Sequence, residues 1–113
     1  ASSVLDGTET SLADADADVI TDFLDDDDTI TFGLDAGSND NYDEDAYAAD
    51  FVTAQANADA AFAGDADLIY FLTGSTADST GLLFVNANND GTADTVVALT
   101  GVTEANFDDS NIV

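Results

Sequence analysis

The sequence contains no lysine, arginine or histidine and no cysteine or tryptophan, while 25 aspartates and glutamates among 113 residues give a net charge of −25 at pH 7. No carboxylate can be neutralised by a side chain of its own molecule. Self-repulsion on this scale must be relieved by bound or condensed cations, or by salt, whose Debye length is about 8 to 10 Å at physiological strength. The chain therefore belongs in a cation-rich medium. Neutralising phosphates requires Lys or Arg, which excludes nucleic acid and anionic membrane surfaces as direct partners. Serine and cysteine triads, Schiff bases, phosphate clamps and imidazole- or thiolate-bound zinc are equally out of reach. A carboxylate pair for glycoside hydrolysis survives only because so many acids offer a pair, and no tryptophan is present as a sugar platform. No enzymatic activity is expected. Absent cysteine removes disulfides and suits a secreted chain that avoids oxidative pairing. The longest uninterrupted apolar run, residues 68–72, is far too short to span a bilayer. No initiator Met and no basic, apolar signal segment open the sequence, as expected of a processed N-terminus or of a segment of something longer.

What is present suffices for one core. Apolar residues make up 45% of the chain, with seven Phe and three Tyr, so a single folded domain is expected rather than disorder. The most informative stretch is residues 82–99. Two apolar runs rich in β-branched and aromatic residues, 82–85 and 95–99, flank a polar loop containing Asp90-Gly91, which predicts a hairpin. Oxygen-bearing side chains alternate through the loop as Asn86, Asn88, Asp90, Thr92 and Asp94, with Gly91 after the third. This is the spacing of positions 1, 3, 5, 6, 7 and 9 of an EF-hand-type calcium loop, in which the ligands wrap one hard cation and the glycine makes the sharp turn. Position 1 is Asn rather than Asp, and Val97 stands where a bidentate Glu would close the shell. Any site is thus expected to be weak, with a dissociation constant of about 10⁻⁴ to 10⁻³ M. The same composition also suits a bare turn, because Asn, Asp and Gly tolerate positive φ.

A second acidic cluster lies earlier. In residues 18–32, Val19, Ile20 and Phe23 are expected to pack, residues 25–28 form a run of four aspartates at a turn, and Ile30, Phe32 and Leu34 alternate on one face of a strand. Four adjacent carboxylates call for surrounding solvent or for a cation, and calcium held by Asp18, Asp22, Asp25 and Asp28 is the second candidate site.

The pattern Asp18-x-Ile20-x-Asp22-Phe23, then Asp28-x-Ile30-x-Phe32, resembles the segment that closes the calcium-binding β-roll of RTX (repeats-in-toxin) proteins exported by type I secretion. An Ala-rich helix, a hydrophobic strand and then LLFVNANNDGTADTVVALTGVTEANF resemble the C-terminal region of such proteins, including bacterial S-layer and adhesin-type subunits. The resemblance covers roughly residues 16–113. The glycine- and aspartate-rich nonapeptide repeats of the family are missing, since Gly7 is the only glycine before Gly33; what remains resembles the cap without the roll. Residues 107–113, FDDSNIV, resemble the acidic segment and apolar tail that a type I exporter reads. The resemblance implies calcium as cofactor, the exporter as a transient partner, and an extracellular or cell-surface location.

Residues 1–17 carry few apolar anchors, Val4, Leu5 and Leu12, and are expected to form an extended N-terminal arm; residues 18–113 are the single RTX-cap-like domain. Residues 33–45 read as a loop by composition. In residues 46–63, Tyr47, Phe51, Ala54, Ala58 and Phe62 recur three or four positions apart and mark one helical stripe, with Asp43 to Asp45 at its N-terminus and Gly64 as its stop. Residues 68–73 form a two-sided apolar strand, residues 74–81 a polar loop, and strands 82–85 and 95–99 follow. The expected fold is mainly β with one α-helix (α+β), an antiparallel meander or sandwich with the Ala-rich helix on one face. One helix covers one face, so the other face needs the N-terminal segment or another molecule. These features predict a non-enzymatic, calcium-stabilised subunit that polymerises with itself into an extracellular filament or surface layer, Val4 and Leu5 of the arm serving as connector. The alternatives are the export and folding cap of a larger RTX protein, and an acidic adhesion module.

Overall fold

The structure is a computed structural model and describes Leu5 and residues 7–24 and 27–113. Among these residues are five strands and one α-helix: β1 (Asp18–Ile20), β2 (Tyr42–Glu44), α1 (Phe51–Gly64), β3 (Tyr70–Ser75), β4 (Thr80–Val85) and β5 (Thr95–Thr100), followed by a 3₁₀ turn (Asp109–Asn111). They form an α+β fold on one sheet, ordered β1-β5-β4-β3-β2.

The sheet is mixed rather than antiparallel. The expected meander is its centre, where β3 pairs with β4 and β4 with β5 in antiparallel register. Two short strands then add in parallel at the edges, β1 on β5 and β2 on β3. Parallel neighbours need a crossover, and α1 supplies it between β2 and β3. Neither edge strand is long enough to establish a period in the sequence: each has three residues, all exposed or half-buried, and β2 lies inside the stretch read as loop.

The helical stripe is real but starts later. Phe51, Ala54, Ala58 and Phe62 are buried on α1, together with Gln55. Asp50 caps the first turn by accepting from the Thr53 N–H at 2.9 Å. Tyr47 stays outside the helix because its segment is used by the sheet, with the Ala48 N–H donating to the Gly74 carbonyl at 2.9 Å and the Tyr47 hydroxyl to the Val102 carbonyl. Asp43 to Asp45 accordingly belong to β2 and its exit, and Gly64 is the last helical residue rather than a stop beyond it.

Gly74 and Gly81 are not loop residues. They face each other across β3 and β4. A Cβ on Gly74 would enter the Tyr47 ring, and one on Gly81 would meet the Val102 carbonyl, so these glycines let neighbouring groups lie directly on the backbone.

Both faces of the sheet are covered within the chain. On one, α1 and the buried Leu5 and Ala15 pack over Phe71, Leu82, Phe84, Val96 and Ala98. On the other, Tyr70, Leu72, Leu83, Val85 and Leu99 meet Val102, Phe107 and Ile112, with Phe23, Ile30 and Phe32 against them. The second face, expected to need the N-terminal segment or a neighbour, is therefore closed by Ile20, Phe23, Ile30 and Phe32 and by Val102, Phe107 and Ile112. The N-terminal segment instead joins the helix side, where the Leu5 N–H donates to the Asp94 carbonyl at 2.9 Å; Val4 lies outside the described residues. The strand expected at residues 30–34 reduces to a single bridge, Ile30 with Ile112, whose side chains still point into the core.

Candidate cation site

The 86–94 loop leaves the sheet where β4 ends and returns into β5. Asn89 and Gly91 take positive φ, 58° and 84°, in agreement with the use of Asn and Gly to reverse the chain. The side-chain oxygens turn inward. Asn86 Oδ1 and Asn88 Oδ1 both accept from the Asp90 N–H, each at 3.2 Å, so two of the predicted ligand oxygens share one main-chain donor. The Asp90 carboxylate accepts from the Thr92 N–H at 3.1 Å and the Thr92 hydroxyl at 3.0 Å. Asp94 Oδ2 accepts from the Asn88 N–H at 3.2 Å, closing the loop across its mouth. All five spaced residues thus lie in one connected turn, while Val97, at the place of the closing Glu, is in β5 and pairs with Leu83.

Sequence spacing missed a sixth participant. Asp59, on α1, accepts from the Ala93 N–H at 2.8 Å and ties the loop to the helix. Burial pushes its carboxyl above the usual range, the Ala93 hydrogen bond opposes that shift, and the charges of Asp90, Glu9 and Asp94 add to it. Asp90 is held below the usual range, first by the Thr92 N–H. The available signal for Asp59 was a carboxylate beside Ala58, at the border of the buried stripe. Asn86 is 2% exposed and its Nδ2 has no partner; being a donor, it does not call for a cation.

The oxygens offered here are carboxylate, amide and hydroxyl, a hard set that suits calcium or magnesium and not a soft metal. Only two of the five predicted ligands are carboxylates. Among the described residues, no group of three or more Asp and Glu is arranged to hold a metal ion.

Among the described residues the earlier cluster does not gather. Asp28 is spent on its own turn, accepting from the Leu24 N–H at 2.8 Å, while its carbonyl accepts from Asn111 Nδ2 at 3.2 Å. Asp22 is exposed, and Asp25 lies outside the described residues. Asp18 is carried by β1 to the groove that Asp94 also lines, so the structure brings together one residue from each predicted cluster.

A further acidic cleft, about 380 Å³, lies between β2 and the C-terminal segment, lined by Glu44, Glu104 and Asp108. Glu44 accepts from the Tyr42 hydroxyl at 3.0 Å. Burial raises the Glu44 carboxyl, the Tyr42 bond offsets part of this, and Glu104, Asp108 and Asp43 push it further up. Tyr42 is held protonated by burial and then by the Glu44 charge.

No protein-family model, no curated protein and no solved structure matches this chain.

Proposed function

We propose that this chain is a non-enzymatic, extracellular structural module whose fold is stabilised by calcium at the 86–94 loop. The observation that carries the reading is the gathering of Asn86, Asn88, Asp90, Thr92 and Asp94 into one hydrogen-bonded turn of oxygen-bearing side chains, in a chain without a positive side chain. Calcium bound there would supply the missing positive charge. A cation that binds only the folded loop stabilises by mass action, about 1.4 kcal/mol for about 10 mM calcium against a dissociation constant of about 1 mM. Type I export and placement at the cell surface belong to the same proposal, through the RTX-like order of motifs. Because both sheet faces are covered internally, self-assembly into a filament or layer would not run through a bare sheet face.

Thermal melts test it. Calcium should raise the melting temperature well beyond sodium at equal ionic strength, and identical curves would leave only charge screening. Asp90→Ala should reduce the calcium-induced shift, whereas Asp78→Ala should keep it. The shift, not the absolute midpoint, is the readout, because Asp78 accepts from the Ser75 hydroxyl at 2.7 Å and its loss destabilises by itself.

A further inference from the structure

The outermost strand β1 lies between two grooves. Its side chains alternate across the sheet, and the structure follows the alternation. Asp18 and Ile20 line a groove of about 480 Å³ with Ile30, Phe32, Val97 and Asp94. Val19 points the other way, into a groove of about 370 Å³ shared with Leu12, Ala17, Asp16 and Asp78. Each groove thus combines apolar walls with two carboxylates. Val19 is 55% exposed and nearby Leu24 57%, so the edge presents apolar surface to solvent at both ends of the 18–24 stretch.

An edge strand accepts an added strand through main-chain hydrogen bonds, and flanking pockets then select its alternate side chains. We propose that β1 docks an extended segment of a partner protein that carries both apolar and basic side chains on each of its two faces. The apolar side chains enter the grooves, and Lys or Arg meets Asp18 and Asp94 on one side and Asp16 and Asp78 on the other. Charge complementarity selects this occupant over a second copy, which would bring another −25 and no cationic side chain. The inference goes beyond the calcium reading and does not depend on it.

Titrations in chelator at physiological salt keep the two apart. The probe is the peptide Val-Val-Lys-Lys-Val-Val-Lys-Lys, capped at both ends, which mixes the two residue types on each face of a strand. It should bind saturably with one site per chain. The peptide Val-Lys-Val-Lys-Val-Lys-Val-Lys has the same composition and charge but places all its valines on one face, and should bind about tenfold more weakly. Equal affinity would reduce the interaction to bulk charge attraction and overturn the proposal. Val19→Lys should weaken the first peptide about tenfold, by like-charge repulsion at the edge. Val52→Lys makes the same charge change at another exposed valine, on α1, 48% exposed, and should leave binding intact. Equal loss in both variants overturns the proposal. Alternate N-methylation of the peptide main chain should abolish binding to the unaltered protein, a result that needs no variant to fold; retained binding overturns strand addition. Sedimentation in the same chelator without peptide should show a monomer. A dimer removed by Val19→Lys would make a second copy the occupant and refute the basic partner.

Discussion

The C-terminal tail is a wall of the core, and cutting it should unfold the protein. Ile112 is 2% exposed and sits with Phe107 on the second sheet face. Asn111 and Ile112 carbonyls accept from the Ile30 and Gly37 N–H groups at 2.8 and 2.9 Å, and the Val113 N–H donates to the Ile30 carbonyl at 2.9 Å. The Asn111 side chain accepts from the Asp108 N–H at 3.0 Å and donates to the Asp28 carbonyl at 3.2 Å. Emptying the Ile112 site costs about 2 to 5 kcal/mol, and each lost hydrogen bond about 0.5 to 1.5 kcal/mol. Deleting residues 111–113 therefore removes about 5 to 12 kcal/mol from a domain whose whole stability is about 5 to 15 kcal/mol. Urea denaturation followed by circular dichroism measures this. The deletion should be largely unfolded without urea, and Ile112→Ala alone should lower the midpoint by about 1 to 3 M. Val113→Asp should leave the midpoint where it is, since Val113 is 54% exposed. An unchanged midpoint for Ile112→Ala would refute the tail's role as cover for the second face. The result also decides how the proposed export should be probed: the truncation would confound loss of the proposed exporter signal with loss of the fold, whereas Val113→Asp would separate them.

Three other outcomes follow from the same geometry. Asp59→Asn keeps an oxygen for the Ala93 N–H while removing a charge facing Asp90, Glu9 and Asp94, so in chelator at pH 7 and low salt it should melt higher than the unaltered protein and Asp59→Ala should melt lower than Asp59→Asn; the reverse order would refute the anchoring role. The Glu44 carboxyl is raised above its ordinary 4.5 in the folded chain, so its contribution is fully present below that value and is lost as pH rises through the folded value. Glu44→Gln should accordingly raise the melting temperature at pH 7 and leave it little changed near pH 4, a difference that comparative melts across that range would detect. Gly81→Ala drives a methyl against the Val102 carbonyl and should cost about 1 to 3 kcal/mol in urea titrations; a neutral substitution would show that the 102 segment does not lie over β4.

The parts legible in the sequence are those with a sustained apolar pattern. The Phe51-Ala54-Ala58-Phe62 stripe announces itself because burial repeats at about 3.6 residues, and β3, β4 and β5 because continuous apolar runs bounded by polar loops suit strands buried on both faces. β1 and β2 were hidden because three residues with one or two acids among them do not establish a period. Gly74 and Gly81 were misread for a different reason: glycine's usual meaning is a turn, and only the ring and carbonyl lying over these two explain their place in paired strands. The loop residues Asn86, Asn88, Asp90, Thr92 and Asp94 could be grouped by spacing because they are local. Asp59 joins them from a helix, and Asp18 reaches Asp94 through the β1 to β5 pairing; both meetings are made by tertiary structure, which spacing along the chain does not encode.

The parallel edges also impose an order of events on folding. β3, β4 and β5 connect through short turns, so their pairing closes small loops, whereas β1 must find β5 across most of the chain, Asp18 opposite Val97. Loop-closure entropy makes the local meander the cheaper nucleus and the β1 pairing a late step. Substitutions at the centre of the meander, such as Leu83→Ala, should slow folding, while those on β1, such as Ile20→Ala, should chiefly speed unfolding. A chain that emerges from a pore C-terminus first would therefore present its nucleus at once. One that emerges N-terminus first would hold β2 and α1 without a sheet to join until β3 and β4 arrived, and β1 unpaired until β5 followed.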